Sequence, residues 1–445
     1  MDVELIRKLA GNLNKVVPAE ITAADTAQTQ DAAISQENLS RLRGYVQLAL
    51  RQQLKPEELG KSRDPLVRSR LRSIVMRALV ELDIPIGSGA AAALVEELAD
   101  DLLGFGPIEQ FFYDPEVTEI KVNRYDLIRV EKHGVERVAE GVRFRDEEHC
   151  RDILERMLAP TGRRIDISSP RVNARLFDGS RLIAHISPVA VEGTTITIRR
   201  FRQDMTVENL LKRGVLTREV LEFLKAAVKA RMNIVICGGT SSGKTTLLNC
   251  IASFIPDEES IVTIEDPAEL QLQHRNVRRL EAKPPNQEGK GAVTQRDLMV
   301  DALRMAPKRI IIGECRAGEA FDMLQAMNTG HLGSMTTIHA NSARHGTRRL
   351  VNMVQMAGLD LPYEAIIEQI ADAVDIFIHV LKDRSGRRRL DHIVEVTGVE
   401  RTPEGVLNVG LNPLWQYDRS SGKLVWVAEK FTRERIFREE GGWTC

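Results

Sequence analysis

Hydrophobic residues recur with two different periods along the chain, and the change of period divides it into regions. Between residues 39 and 103 apolar side chains return every three or four positions, which predicts helices over 39–54, 65–82 and 90–103, each with one buried face. The preceding residues, from about 17 to 37, carry Ala, Thr, Gln and Asp without an apolar period. They predict a flexible linker behind a short N-terminal helix.

Short strands follow the breaker sequence GFGP at residues 104–107. The sequence Asp178-Gly179-Ser180 predicts a hairpin turn between two of them. We interpret residues 104–203 as an α+β domain. Its strands are predicted over 119–122, 127–130, 171–176, 181–186 and 194–198, with a helix over 147–158.

Nearly continuous apolar strands alternate with helices from residue 204 onward. Such strands are buried on both faces of a parallel sheet, which predicts an α/β nucleotide-hydrolase core. They lie at 234–237, 261–264, 309–312, 334–338 and 375–378. After residue 386 the pattern returns to short strands up to residue 426. The predicted domains are therefore 1–38, 39–103, 104–203, 204–386 and 387–445.

The segment GGTSSGKTT lies between a predicted strand and a predicted helix, which is the context that a P-loop requires. Small residues expose backbone N–H groups to phosphate oxygens, Lys244 would reach the β- and γ-phosphates, and Thr245 would bind Mg²⁺. The sequence therefore predicts a nucleotide site rather than a chance glycine-rich loop. The residues expected to hold the nucleotide are Gly238, Gly239, Thr240, Ser241, Ser242, Gly243, Lys244, Thr245 and Thr246.

Acidic residues end two of the later apolar strands. Glu314 follows the strand at 309–312, and we expect it to orient the attacking water or the metal, because ligands bind at the carboxyl ends of parallel strands. Glu265, Asp266 and Glu269 form a second cluster, which could face the same Mg-nucleotide.

Two histidines, His331 and His339, flank the strand at 334–338. A zinc pair is disfavoured, because no third ligand of suitable spacing is evident. Hydrogen bonding to a phosphate or to an acidic neighbour is the favoured interpretation.

Composition limits the class of protein further. The 445 residues are 43% apolar and 28% charged with a net charge of -1, which is typical of a soluble protein without overall attraction to nucleic acid. The sequence contains neither a run of ~20 apolar residues nor a signal peptide, so a cytosolic location is expected. Because the five cysteines lack C-x-x-C spacing, Cys237 and Cys315 are expected to be core residues.

Four motifs in order resemble the Walker A, Asp, Walker B and His boxes of the type II/type IV secretion ATPase superfamily: GGTSSGKTT, TIEDPAEL, RIIIGE and GHLGSMTTIHA. Ser241 and Cys315 depart from residues common in that superfamily. The helical extension before residue 104 and three further stretches are similar to the CpaF-type ATPases of tight-adherence (Tad, type IVc) pili, where Ala is common in place of Pro267. Those stretches are PRVNARLFDGSR, RRLEAKPPN and FDMLQAMNTG.

The resemblance implies a homo-hexameric motor that uses ATP and Mg²⁺ to power assembly, and in some cases retraction, of a pilus. It implies a RecA-like P-loop ATPase core preceded by an α+β (PAS-like) N-terminal domain, with a hinge near residues 200–204 and a small helical unit in front. The motor would work peripherally at the inner membrane beside pilus platform proteins, without a transmembrane segment or direct nucleic-acid binding.

The resemblance also assigns roles to residues. Glu314 matches the Walker B glutamate, and arginines of the N-terminal domain would close on the phosphates, where guanidinium neutralises charge. The other matching positions are Glu265, Asp266 and Glu269 in the Asp box, His331 and His339 in the His box, and Arg175, Arg181, Arg199 and Arg200 for the arginines. Thr245 and Glu314 are the expected metal ligands.

Other functions fit part of the same pattern. A type IV secretion ATPase that moves protein or DNA would share all four motifs. A RecA-type helicase is disfavoured by the balanced charge and by an aromatic content of 4%. A non-enzymatic scaffold has no need of Lys244, Thr245 and Glu314 together.

Overall fold

The computed structural model describes residues 34–53, 63–200, 206–285, 289–383 and 385–443. The described residues form two compact units, one within the ranges 1–113 and 142–157 and the other within the ranges 114–141 and 158–445. Predictions for residues before 34 and for the hinge at 201–204 lie outside the described residues. The five domain boundaries stay a prediction.

Helices build the first unit, as the period of three and four predicts. Helix α2 begins at a capped turn, because the Asp64 carboxylate accepts hydrogen bonds from the backbone N–H groups of Leu66 and Val67. Leucines that are 0% exposed, such as Leu42 and Leu71, fill the core. The helices are α1 (Gln36–Gln53), α2 (Pro65–Glu81), α3 (Ser88–Leu103), α4 (Glu109–Tyr113) and α5 (Glu147–Leu158).

Helix α5 has the predicted bounds, but the structure groups residues 142–157 with the helical unit and not with the neighbouring sheet. Arg156 donates a hydrogen bond to the carbonyl oxygen of Gly104 at 2.9 Å, and Arg145 pairs with Asp101 at 2.7 Å. A local hydrophobic pattern cannot predict contacts between residues so far apart in the sequence.

An antiparallel six-stranded sheet belongs to the second unit, with the strand order β3-β2-β1-β6-β5-β4. Its strands are β1 (Val117–Arg124), β2 (Leu127–Lys132), β3 (Val135–Val138), β4 (Arg171–Arg175), β5 (Arg181–His185) and β6 (Thr195–Arg199). The predicted hairpin turn is confirmed, because Asp178 accepts from the N–H of Ser180 at 2.9 Å between β4 and β5. The sequence does not predict β3, which is a sheet edge without a buried residue.

A nine-stranded sheet forms the rest of this unit, with the order β15-β14-β13-β12-β7-β11-β10-β8-β9. The six strands from β12 to β9 are parallel, and the other three are antiparallel. The strands are β7 (Ile234–Gly238), β8 (Ile261–Glu265), β9 (Val277–Glu281), β10 (Arg309–Ile312), β11 (Met335–His339), β12 (Ile376–Lys382), β13 (Arg388–Arg401), β14 (Leu407–Asp418) and β15 (Lys423–Trp426).

Helices cover both faces of this sheet, so the predicted α/β class is confirmed. Ile234 and Ile236 of β7 join one core, whereas Val235 and Cys237 join the core on the opposite face. The helices are α6 (Val207–Lys212), α7 (Arg218–Lys229), α8 (Lys244–Ala252), α9 (Gln295–Arg304), α10 (Glu319–Asn328), α11 (Ala343–Gln355), α12 (Tyr363–Ala373) and α13 (Glu434–Glu439).

The prediction of short strands from residue 386 to residue 426 is correct for β15, which has four residues and ends at Trp426, but wrong for β13 and β14. Strand β13 has 14 residues and β14 has 12, and β13 pairs with β12, so the sheet continues through this segment. Charged residues interrupt the apolar pattern of these strands because both are only partly buried. Strand β9 also escapes the sequence pattern, since none of its residues is fully buried.

Two expectations concern membrane association and cysteine chemistry. Within the described ranges, no helix combines the length and hydropathy needed to cross a membrane. Cys150, Cys237, Cys250 and Cys315 are free and buried, and burial raises the pKa of Cys237 to about 12. The expectation that Cys237 and Cys315 are core residues is confirmed.

Candidate nucleotide site

The loop between β7 and α8 has a backbone that requires glycine at two places. A Cβ atom on Gly238 would lie 2.4 Å from the carbonyl oxygen of Val380, and Gly243 has a φ of +99° immediately before α8. Lys244 Nζ folds back on the loop and donates hydrogen bonds to the carbonyl oxygens of Gly238 and Gly239 at 3.1 and 3.0 Å. The loop is therefore a tight turn that leads directly into the N-terminus of α8, where the first backbone N–H groups have no partner within the helix.

Ser241 occupies the tip of this loop with a φ of 56°, a conformation that favours glycine. The conformation accounts for the glycine that is common at this position in the superfamily, and Ser241 adopts it here despite its side chain. Two arginines brace the residue: Arg199 donates to its Oγ at 3.1 Å, and Arg388 donates to its carbonyl oxygen at 2.9 Å. The loop is thus held from the six-stranded sheet and from β13.

A cleft of about 590 Å³ opens in front of the loop, between the two sheets of the second unit. Six basic and four acidic side chains line it, which favours an anionic ligand. The predicted residues that line the cleft are Thr240, Ser241, Ser242, Gly243, Lys244, Thr245, Thr246, Glu269, Glu314, His339, Arg181, Arg199 and Arg200.

Glu314 reaches the cleft just after the end of β10. One of its carboxylate oxygens accepts hydrogen bonds from Nη2 and Nε of Arg316 at 2.8 and 3.2 Å, and the other lies 2.8 Å from Nε2 of His339. His339 Nδ1 in turn lies 3.4 Å from Lys244 Nζ. Burial, together with the charge of Lys244, lowers the pKa of His339, so its ring is neutral near pH 7.

Glu269 occupies the other side of the cleft. Its carboxylate pairs with Arg181 Nη2 at 2.8 Å and lies 3.4 Å from the hydroxyl of Thr245. Hydroxyl and carboxylate oxygens are the ligands that Mg²⁺ prefers. Thr245 and Glu269 therefore offer oxygen donors that fit this ion, and Glu314 lines the same cleft.

Glu265 and Asp266, expected beside Glu269 at the phosphates, do not line the cleft. Glu265 is 2% exposed and accepts hydrogen bonds from the backbone N–H groups of Glu269 and Leu270 at 2.6 and 2.8 Å. Burial raises its pKa to about 7 despite these donors. A Cβ atom on Gly313 would lie 3.0 Å from its Cγ, so the Glu265 side chain fills the space next to the end of β10.

Arg175 and His331 also lie outside the cleft. Arg175 is on the edge strand β4, one strand further away than Arg181, and its Nη1 lies 3.4 Å from Glu281. His331 precedes β11 and contacts the carbonyl oxygen of Pro307 at 2.9 Å. The whole length of β11, roughly 15 Å, separates it from His339.

Two further arginines line the cleft, Arg316 and Arg388, and neither is among the site residues predicted from the sequence. Arg316 follows Glu314 by two residues, and a basic residue so close to a strand-end carboxylate is a signal that could have been used. Arg388 belongs to the basic run RSGRRR, at the point where the apolar pattern of the chain changes. Its partner Ser241 is 147 residues away, so no local pattern connects the two.

His379, Asp391 and His392 form the group of possible metal ligands found among the residues that the structure describes. Both histidine Nδ1 atoms lie near one Asp391 oxygen, at 3.1 and 3.0 Å. His392 Nε2 accepts a hydrogen bond from the N–H of Ala343 at 3.1 Å, which places the ring proton on Nδ1. The group is therefore a hydrogen-bonded network. A zinc pair of His331 and His339 has no geometric support.

Several known proteins are similar to this chain. A putative conjugal transfer protein of Mycobacterium tuberculosis strain H37Rv is 35% identical over 309 residues, which cover 67% of this chain and 86% of that protein. VirB11 of Agrobacterium fabrum strain C58 is 32% identical over 305 residues, covering 61% of this chain and 87% of that protein. The crystal structure of the Brucella suis VirB11 ATPase aligns with a TM-score of 0.36 and 29% identity, over 65% of this chain and 92% of that one.

A model of one protein family covers most of the chain. The family is described as type II/IV secretion system protein, and its model matches residues 101–402, which include all four motifs, the six-stranded sheet and strands β7 to β13 of the nine-stranded sheet. The chain belongs to the type II/IV secretion system protein family, a family of secretion ATPases.

Proposed function

We propose that the protein hydrolyses ATP in the cleft in front of the P-loop. The observation that carries the proposal is the convergence of Lys244, Glu269 and Glu314 on one cleft, each from the carboxyl end of a different parallel strand or the loop after it. An excess of basic side chains in the same cleft suits a polyphosphate.

Different groups of the cleft would have different roles in hydrolysis. The N–H groups of the loop and of the α8 N-terminus would hold the phosphates, with Lys244 turning to them from the loop carbonyls. Glu314 would orient the attacking water beside the neutral His339. Arg181 and Arg199 would neutralise charge on the transferring phosphoryl group.

Mg²⁺ is proposed as the metal of the site. Thr245 and Glu314, together with Glu269, would hold it through hydroxyl and carboxylate oxygens. When bound, the ion supplies positive charge against the phosphate oxygens.

The ATPase is further proposed to be a homo-hexameric motor that powers assembly of a Tad-type pilus beside inner-membrane platform proteins. The similarity to CpaF-type sequences in three stretches and the presence of helices α1 to α3 before residue 104 support this function. In this scheme the six-stranded sheet belongs to a PAS-like N-terminal domain, and the nine-stranded sheet belongs to a RecA-like ATPase domain.

Type IV secretion of protein or DNA is the second candidate. The names of two relatives favour it, since one is a putative conjugal transfer protein and the other is VirB11. Both candidates use the same hydrolytic site, so they differ only in what the motor moves.

The first test is ATP turnover by the purified chain at increasing concentration, with and without added DNA. Lys244→Ala should lower turnover at least about 100-fold, because it removes the positive charge that a P-loop places at the β- and γ-phosphates. Lys308→Ala, an exposed lysine outside the cleft, is the matched control and should retain the wild-type rate. Normal turnover in Lys244→Ala would refute the site.

The concentration series tests the assembly. A rate per subunit that rises with concentration and ignores DNA supports an active site completed by ring formation. Strong stimulation by DNA would instead support a nucleic-acid motor.

A second test separates the two secretion candidates in the native cell. Cells that lack the gene, complemented with wild-type protein or with Lys244→Ala, are compared for surface pili by electron microscopy and for DNA transfer to a recipient. Loss of pili alone supports the pilus motor, whereas loss of transfer alone supports type IV secretion.

A further inference from the structure

Arg316 combines an anchored backbone with a half-exposed side chain. The backbone on either side is anchored, because Cys315 N donates to the carbonyl oxygen of Thr337 at 2.9 Å and Ala317 N donates to Glu319 at 2.8 Å. Glu319 is itself only 7% exposed. The Arg316 side chain, by contrast, is 53% exposed at the edge of the cleft.

The hydrogen bonds of this guanidinium go to a single residue. Nη2 and Nε both bind one carboxylate oxygen of Glu314, at 2.8 and 3.2 Å. A half-exposed ion pair of this kind contributes little net free energy, so a competing anion can replace it. Arg316 therefore engages one oxygen of the Glu314 carboxylate, while the other oxygen lies 2.8 Å from His339 Nε2 without a hydrogen bond.

Two other basic side chains of the cleft also have partners within the protein. Arg181 pairs with Glu269, and Lys244 donates to loop carbonyls. Arg316 is connected to Lys244 through Glu314 and His339, with successive contacts of 2.8, 2.8 and 3.4 Å. Arg316 and Lys244 line the same cleft, and because Lys244 reaches the β- and γ-phosphates in a P-loop, a nucleotide bound there would lie beside both side chains.

We infer that Arg316 is a terminal-phosphate sensor that leaves Glu314 for the γ-phosphate of bound ATP. The movement has two consequences: the guanidinium neutralises charge on the phosphoryl group, and Glu314 is released to orient the attacking water. ADP lacks the terminal phosphate, so Arg316 stays on Glu314 when ADP is bound. The inference rests on the proposed ATPase function and adds a specific step to it.

The test compares the affinities of ADP and of a non-hydrolysable ATP analogue for wild type and Arg316→Gln, by titration calorimetry with Mg²⁺. The analogue should bind about 10- to 100-fold more weakly to Arg316→Gln, while ADP affinity changes less than about twofold, since only the analogue offers a charge-assisted contact at the third phosphate. Turnover should fall together with analogue affinity, and Arg316→Lys should restore part of both.

Arg344→Gln is the matched control. Arg344 is 48% exposed and pairs with Glu400 at 3.2 Å outside the cleft, so its loss should leave both affinities unchanged. A role limited to holding Glu314 in place would lower turnover without changing the ratio of the two affinities, and that result would overturn the inference. A wild-type protein that binds neither nucleotide would instead overturn the proposed function.

Discussion

Strands β8 and β10 are neighbours in the nine-stranded sheet, and a glutamate lies at the carboxyl end of each. Glu265 is the last residue of β8, and Glu314 follows β10 by two residues. The two carboxylates nevertheless have opposite environments. Glu265 at the end of β8 is 2% exposed, accepts two backbone N–H donors and has a pKa raised to about 7. Glu314 just after β10 lines the cleft and contacts Arg316 and His339.

The difference comes from the direction of the chain after each strand. After β8 the chain turns back, so that the N–H groups of Glu269 and Leu270 point at Glu265 and close it off. After β10 Cys315 N pairs with Thr337 on β11, which leaves the preceding Glu314 side chain facing the cleft. A side chain at the carboxyl end of a parallel strand therefore lies near the ligand site, but the course of the next few residues decides whether that side chain faces the site.

The largest expected effect distinguishes the two carboxylates by activity. Glu314→Gln should lower kcat for ATP about 100- to 10,000-fold with the fold intact, because an amide cannot accept the water proton. Steady-state turnover and circular dichroism are the measurements. Glu400→Gln, which removes an exposed acid outside the cleft, should keep the wild-type rate. A turnover of Glu314→Gln close to that of the wild type would show that Glu314 has no catalytic role that sets it apart from Glu265.

The next effect concerns stability and pH. The pKa of Glu265 is raised from 4.5 to about 7, so its protonated form is favoured in the folded state. Its contribution to the free energy of unfolding is fully present below pH 4.5 and is lost as pH rises through about 7, an effect on the order of 3 kcal/mol. Urea unfolding at pH 5 and pH 8 should show a smaller fall for Glu265→Gln than for wild type.

Glu400→Gln serves again as the comparison, because this exposed residue lies away from β8. It should keep the wild-type difference between the two pH values. An equal fall in Glu265→Gln and wild type would show that Glu265 does not titrate in this range.

The smallest effect tests the contact between the two strand ends. Gly313→Ala would place a Cβ atom 3.0 Å from Cγ of Glu265, so the side chain must shift, at a cost of about 1 kcal/mol in the free energy of unfolding. Thermal unfolding of Gly313→Ala is measured in the wild-type and in the Glu265→Ala background. The destabilisation should disappear in the second background, and its persistence there would show that another contact is responsible.

Local patterns predicted the elements that are buried and missed those that are not. The apolar runs of β7, β8, β10, β11 and β12 identify a parallel sheet, because such strands are covered on both faces. Strands β3 and β9 have no fully buried residue, so their sequences carry no such run. Strands β13 and β14 were predicted as short because partial burial allows polar residues along their length.

The sequence by itself determined the α/β class, the P-loop and the candidate carboxylates, because small residues around Lys244 and apolar runs before it are local features. Only the tertiary structure decided which candidates share a cleft: it includes Arg181 and Glu269 and leaves out Arg175, His331 and Glu265. It also brought Arg388 onto Ser241, 147 residues away. The physical reason is that the partners of a charged side chain depend on how strands and turns pack, whereas its place on a strand or helix depends on its immediate neighbours.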